Sequence, residues 1–371
     1  MRTNRTCKSR ILTAVAALCA FNVIPTRVHA TAPTYTVTVL GGESYAVAIN
    51  ASGQVVGNSY FAGASHAVRW TGTTPEDLGE FYASGINASG QVVGNLGGAW
   101  GTGNVMHAVR WTGTGATTTL YPFGNGSSAG YGINDSGVVA GSAYLYSFVY
   151  YNYFTNAIRW TGGTTVDEAL GIRTDGYGIN ASRQVAGSVV IGGDRRAVRW
   201  TGTTPTYLGT LGGSNSYGYG INASGQIAGS ADIAGNQPAR HAVRWTGTTP
   251  TDLGTLGGSD SYGYGINASG QVTGMSDIAG DAIQHPFLYA DETMYDLNTL
   301  LLPGFEITDL AVSQGNSIND LGQIAAYGYI GGQQYALRLD PVTAPEPASA
   351  VLLLGGTALI ALLRRRSAAG V

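Results

Sequence analysis

The string YGYGINASGQIAGS at Tyr217–Ser230, followed after a variable stretch by HAVRW at His241–Trp245, starts again at Tyr262 as YGYGINASGQ. A unit that returns at a fixed phase restricts the chain to solenoids, propellers or related arrays, because one unit cannot bury its own apolar face. An Ile-Asn pair, worn to Ile-Asn with changed neighbours, marks every copy. Its asparagines are Asn50, Asn87, Asn134, Asn180, Asn222, Asn267 and Asn319, which gives seven copies. The distance from each Asn to a glycine seven residues on never varies: Gly57, Gly94, Gly141, Gly187, Gly229 and Gly274, with Ala326 in the last copy. Length varies only before and after the HAVRW element. A rigid hairpin joined by elastic loops accounts for that distribution.

Each copy reads as four short strands. YGYGI and its relatives form the first, and Asn-Ala-Ser-Gly turns the chain, with Asn and Gly at positions that tolerate positive φ. Arg183 takes the glycine place in the fourth copy and predicts a strained turn or one of another type. Gln-Val-Val-Gly is the second strand. His-Ala-Val-Arg-Trp is the third, with His66, Val68 and Trp70 on one face and Ala67 and Arg69 on the other. The fourth is expected to be Thr-Asp-Leu-Gly-Thr-Leu-Gly-Gly. Four strands in about 44 residues is the size of one propeller blade.

The two ends of the repeat region are out of phase. Thr34–Gly42, TYTVTVLGG, matches a fourth strand, whereas the last copy stops at a third strand, Tyr335–Leu339. A closed ring in which the N-terminal strand completes the last blade uses both remainders and leaves no open edge. The expected fold is therefore all-β, a seven-bladed β-propeller over residues 31–341, with the strand near Tyr217 innermost because its glycines suit a crowded axis. An open solenoid is the alternative.

The flanks differ in kind. Residues 1–30 read as a secretory signal peptide: Arg2, Arg5, Lys8 and Arg10 precede the apolar stretch 11–24, and Val28-His29-Ala30 offers small residues for cleavage. Cys7 and Cys19 both fall there, so the exported part carries no thiol, no disulfide and no cysteine metal site. Residues 342–371 read as a sorting tail, in which Pro345, Glu346 and Pro347 precede the apolar run 348–363 and the cluster Arg364, Arg365 and Arg366. The run is short for a membrane span of about 17–25 residues, but arginines at its end can reach the headgroups. Between the flanks remain 11 arginines and 21 acids, a net charge of about −10, which disfavours nucleic acid as a partner.

Two resemblances rest on these residues. The Ala344-Pro-Glu-Pro347 motif, apolar segment and arginine cluster resemble the PEP-CTERM sorting signal, with Ala344 where valine is usual. The resemblance implies recognition and removal of the tail by an exosortase, transient membrane anchoring through 348–363, and export in bacteria that make exopolysaccharide. The repeats resemble the HAF family of extracellular repeat proteins, through His-Ala-Val at His66, His107 and His241 and His285-Pro-Phe287. Asn156, Arg196 and Tyr335 replace the histidine elsewhere. That resemblance implies an extracellular repeat architecture and no established reaction.

Chemistry-bearing motifs are sparse. Symmetry puts the four repeat histidines on separate blades, whereas zinc needs convergent ligands. The recurrent arginines Arg69, Arg110, Arg159, Arg199, Arg244 and Arg338 are expected to pair with fourth-strand acids such as Asp77 and Asp252. No Gly-x-Ser-x-Gly and no phosphate loop occurs. The aspartates of 277–281 and 232–236 lack the spacing of a calcium loop and read as polar turns. No catalytic residue, cofactor or metal is therefore expected. One segment breaks the repeat: Tyr144–Phe154, YLYSFVYYNYF, an elongated hairpin whose Tyr144, Tyr146, Phe148 and Tyr150 would share one face and form the candidate ligand contact. The functional expectation is an exported, exosortase-sorted cell-surface or matrix protein. It would act as a non-catalytic binding or structural module for exopolysaccharide or a surface protein. A propeller-fold polysaccharide hydrolase or lyase is the alternative, and would need two carboxylates about 5–10 Å apart in one cleft.

Overall fold

The computed structural model describes residues 32–342 except 62, 98–104, 114, 116, 123–125, 148–151, 165–167, 236–238, 282 and 305. The signal-peptide assignment, 1–30, and the sorting-tail assignment, 342–371, lie outside the described residues, except Val342, which ends a strand. Seven four-stranded antiparallel sheets form a seven-bladed propeller. Blade one comprises Ser44–Ile49, Val55–Phe61, Ala64–Thr71 and Thr74–Gly79, in that order from the channel outward. Blade seven takes its first three strands from Ile307–Ala311, Ile324–Ile330 and Gln333–Val342, and its outermost from Thr34–Gly42. The closing ladder runs from Thr34 opposite Val342 to Gly42 opposite Tyr335.

The turn after each first strand is the same in every blade. In blade one the Gly53 amide donates to the Asn50 carbonyl at 3.0 Å, and Gly53 sits at φ +77°. Arg183 makes the same turn, donating to the Asn180 carbonyl at 3.0 Å while held at φ +61°. The turn is therefore of the common type and the cost is local strain, since a Cβ in the left-handed region crowds its own backbone.

The invariant glycine of the second strand has a steric cause. Each first strand bulges opposite it, as the register jump between Ala46 and Ala48 shows. A Cβ at Gly57 would lie 2.0 Å from the Tyr45 carbonyl oxygen, and at Gly274 only 1.8 Å from that of Tyr262. In blade seven the first strand leaves the ladder early and Ala326 pairs only with Leu337, so the methyl group is accommodated. A second set of glycines lets neighbouring first strands approach: a Cβ at Gly220 would stand 2.5 Å from the Tyr264 carbonyl oxygen.

Fourth strands are shorter than the sequence suggests. The strand in blade five is Thr249–Asp252. The Asp252 carboxylate then accepts from the Gly254 amide at 2.8 Å, Gly254 turns at φ +75°, and Gly257 already begins the next blade. The Leu-Gly-Thr-Leu segment is thus a crossover between blades, held by buried leucines such as Leu253.

Between blades the core is a series of small apolar clusters. Trp70, Trp111, Trp160, Trp200 and Trp245 are all buried at these joints. The helix Leu297–Leu300 thickens the joint between blades six and seven, where Leu288, Leu297, Leu310 and Ile318 pack together. Among the described residues no helix is long and apolar enough to cross a membrane.

Two outcomes follow from this architecture. Removing residues 34–42 exposes the edge of Gln333–Val342 and strips an apolar strand from the last blade, and should lower stability by several kcal/mol in a thermal melt. Arg183→Gly relieves the positive φ while keeping the turn. After the added freedom of glycine in the unfolded chain is subtracted, it should stabilise by about 0.5–1 kcal/mol in denaturant titration.

Candidate functional site

The channel has an asparagine end and a tyrosine end. At the first, the seven repeat asparagines are 2–5% exposed and linked in a circle. The Asn50 Nδ2 donates to the Asn87 carbonyl, Asn87 to Asn134, Asn134 to Asn180, and Asn180 to Asn222. Asn222 donates to Asn267, Asn267 to Asn319, and Asn319 back to Asn50, all at 2.9–3.2 Å. The second amide hydrogen goes to the glutamine four residues on wherever one is present, as from Asn50 to Gln54 at 2.8 Å. With the amide committed on all sides, the Asn-Ala-Ser strings act as turns, in keeping with their sequence reading. Asp135 and Asp320 accept the Ala88 and Ala268 amides of the adjacent blade, which gives both carboxylates a structural task.

The recurrent arginines perform a related task further out, and the expected pairing with Asp77 and Asp252 is not what forms. Nη1 of Arg69 donates to the Gly90 carbonyl of the next blade's turn. Arg110 reaches Gly137, Arg159 reaches Arg183, Arg199 reaches Gly225, Arg244 reaches Gly270 and Arg338 reaches Gly53, at 2.5–3.3 Å. Their carboxylate partners are others: Glu76 for Arg69 at 2.5 Å, Glu168 for Arg159 and Asp340 for Arg338 at 2.8 Å. Asp77 and Asp252 instead face His66 and His241, each with 2.9 Å between Nδ1 and Oδ1, and Asp296 faces His285 at 2.7 Å. The residue eleven positions beyond His107 is Thr118, and the His107 ring packs edge-on against Tyr121 at 5.3 Å. These histidines brace the third strand against the fourth within one blade. Among the described residues no group of three His, Cys, Asp or Glu could hold a metal ion. The aspartates of the polar turns close their own loops: Asp281 accepts from the Ser259 amide at 2.6 Å and Asp232 from the Asn215 amide at 3.0 Å.

A hydroxyl position that sequence reasoning missed joins the blades a third way. Ser44, Ser128, Thr174, Ser216 and Ser261 lie on their first strands, each six residues before the repeat asparagine. Each accepts the backbone N–H of the alanine in the preceding blade's third strand, as Ser261 does from Ala242 at 2.7 Å. The signal was present in the sequence as a small hydroxyl residue at one repeat phase.

The tyrosine end opens into a cavity of about 340 Å³. The tyrosine three residues before the repeat asparagine lines it: Tyr131, Tyr177, Tyr219 and Tyr264 stand on four successive blades. Their rings meet in sequence, with centroids 5.5, 5.5 and 5.8 Å apart and planes tilted by 51–70°. Such tilted contacts set the positive edge of one ring against the negative face of the next. At the same strand position blades seven, one and two carry Asn316, Val47 and Ser84, so the wall there recedes. Tyr45 and Tyr82 stand at the rim above it. Ile86, Ile133, Ile179 and Ile221 border both this cavity and a smaller one of about 200 Å³ inside the asparagine ring. Among the described residues lining the tyrosine cavity, none is Asp, Glu, His, Lys or Arg.

Burial holds Tyr177, Tyr219 and Tyr264 neutral. Desolvation raises the pKa of Tyr177, with Asp175 adding to the effect, and desolvation likewise raises Tyr219 and Tyr264. In sequence these strings are marked by their glycines, and nothing local to them shows that the tyrosines between converge.

The aromatic hairpin is an extension of blade three. Val139–Ser147 pairs with Asn152–Trp160, with Tyr144 opposite Thr155 and Tyr146 opposite Tyr153. Tyr144 is exposed. Phe148 and Tyr150 lie outside the described residues, as does the side chain of Tyr146.

No family model matches the sequence, and no curated protein matches it. Solved structures do. The Pyrococcus horikoshii acylaminoacyl peptidase, orthorhombic crystal form, aligns over 83% of this chain and 53% of its own at 10% identity, with a TM-score of 0.51. A Trypanosoma rangeli sialidase aligns over 83% and 54% at 9% identity, with a TM-score of 0.35. The chain spans about half the length of these structures. At such identities the likeness to the peptidase concerns the propeller fold alone.

The neutral phenols predict alkaline behaviour. Tyr35, a buried residue of the closing strand, is pushed up to about 12 by desolvation. A raised folded pKa stabilises the fold fully below the unfolded value near 10 and loses that contribution as pH climbs through the folded one. Stability should therefore fall above pH 10, by about 1.4 kcal/mol per pH unit for Tyr35 alone until it ionises. Phenolate absorbance in the near ultraviolet should lag behind that of the unfolded chain.

Proposed function

We propose that this chain is an exported, non-catalytic binding module of the cell surface or extracellular matrix. In this reading the propeller is a rigid carrier and the tyrosine-lined channel mouth is its site. The observation that carries it is the composition of that mouth: an arc of four tyrosines with no charged side chain among the described lining residues. Aromatic faces with a few neutral polar groups suit binding, whereas glycosidic hydrolysis by an acid pair needs two carboxylates in the cleft. The exposed Tyr144 on the blade-three hairpin adds a second aromatic surface for a matrix polymer or a surface protein. The order of segments in the sequence supports export. The basic and apolar start would direct secretion, and Pro345-Glu346-Pro347, the apolar run and Arg364–Arg366 would present a tail to an exosortase after transient anchoring in the membrane.

The test is co-sedimentation of residues 32–342 with insoluble exopolysaccharide, alongside a reducing-end assay on the same mixtures. Retention without release of new reducing ends is the expected result. Release of reducing ends that grows with time would replace this reading with the hydrolase one. Absence of retention on any polysaccharide would remove the binding-module reading.

A further inference from the structure

We infer that the tyrosine cavity takes the terminal sugar of an uncharged glycan chain; the inference rests on the binding-module reading above. Three properties of the cavity lead to it. The first is the lack of charge in its described lining. An anionic or cationic ligand would give up hydration there without gaining a counter-charge. The second is the division of its wall. Four phenol rings form one side, while Ser84 and the exposed amides of Gln314 and Asn316 stand on the other. A purely apolar ligand would strip water from those amides and return no hydrogen bond. A sugar ring carries an apolar C–H face and a girdle of hydroxyls, and so satisfies both walls at once. The third is depth. The cavity is at the lower end of the usual range of about 300–1,000 Å³ for small-ligand sites, and the isoleucine belt separates it from the space inside the asparagine ring. A chain cannot lie across a pocket closed in this way with its interior residues bound. Its end must enter.

The access route is consistent with an approaching chain. Tyr217 stacks on Tyr219, with centroids 6.3 Å apart and planes within 12°. Outside it, the guanidinium groups of Arg240 and Arg195 lie 4.7 and 5.8 Å from the Tyr217 ring centre. Asp232 and Asp175 already pair with these arginines at 2.9 and 2.5 Å, so the route is polar but locally balanced in charge. A second sugar would meet the guanidinium and carboxylate groups around Tyr217, which offer both donors and acceptors to its hydroxyls.

The repeat supplies its own controls. Ser84 and Tyr177 occupy one strand position in different blades, so each residue type is already built into the fold there. Ser84→Tyr would extend the arc into the open side of the cavity and fill it. Tyr177→Ser would break the arc. The experiment measures binding of linear neutral oligosaccharides of glucose, mannose and galactose to residues 32–342 by calorimetry, with melting temperature as the check on folding. The wild type should bind at least one series, and each variant should bind about tenfold more weakly or not at all. Competition by the parent polymer should scale with the molar concentration of its chain ends and not with its mass. Wild-type affinity in a folded Ser84→Tyr protein would overturn the inference, even if Tyr177→Ser failed to fold. Competition that follows polymer mass, or preference for acidic oligosaccharides or peptides, would overturn it as well. If insoluble polysaccharide still retained the protein in those cases, the binding module would stand and only this pocket would fall.

Discussion

Each blade holds the next by the same bond. A buried asparagine amide donates one hydrogen to the backbone carbonyl of the next asparagine, and the seventh donates to the first across 269 residues of sequence. A lone buried hydrogen bond contributes about 1 kcal/mol net, but leaving its partner unsatisfied costs about 1–3 kcal/mol. Each carbonyl in the circle also accepts the amide of its own turn, so losing one asparagine leaves the neighbouring carbonyl with one of its two donors and breaks the circle at that joint. The loops can therefore vary between copies while the hairpin stays fixed. Repeat spacings run from 37 to 52 residues, yet the donor reaches its acceptor in every case.

Two outer circuits reinforce the inner one. Arginines on third strands clamp the turn carbonyls of the following blade, and first-strand hydroxyls accept amides from the preceding blade. Neither circuit is complete. Blade six carries Leu288 at the arginine position, and the joint there is apolar, with Leu288 and Leu297 fully buried. The same boundary leads into the one irregular blade, in which the segment from Ser313 to Ile318 substitutes for the inner end of a first strand. Its Asn316 carbonyl accepts the Ile49 amide at 3.0 Å and so connects blade seven to blade one.

Much of this was legible in the sequence, for identifiable reasons. The copy number and the strand order follow from the repeat phase, and the closing strand from the mismatch between Thr34–Gly42 and Tyr335–Leu339. Those are properties of the chain read along itself. What was not legible depends on neighbours across blades. Asn50 and its equivalents declare a turn, but their donation to the next blade needs the packing angle between sheets. Arg69 was expected to seek an acid like Asp77, whereas geometry gives that acid to His66 and the arginine to Glu76 and Gly90. The fourth strands look longer in sequence because Leu253 is buried like a strand residue while crossing between blades. The tyrosine arc was hidden for a related reason. Tyr177 and Tyr219 are 42 positions apart, and nothing local to either predicts that their rings touch.

The pairing of Thr34 with Val342 carries a mechanical implication. These two residues stand opposite each other at the outer edge of blade seven. A tether attached there would let the disc swing about a single pivot. Tension drawn between the two ends would open the last ladder one bond at a time, as a zip opens, instead of loading all its bonds together. The seam that completes the ring is thus also the place where force on the termini would first be felt.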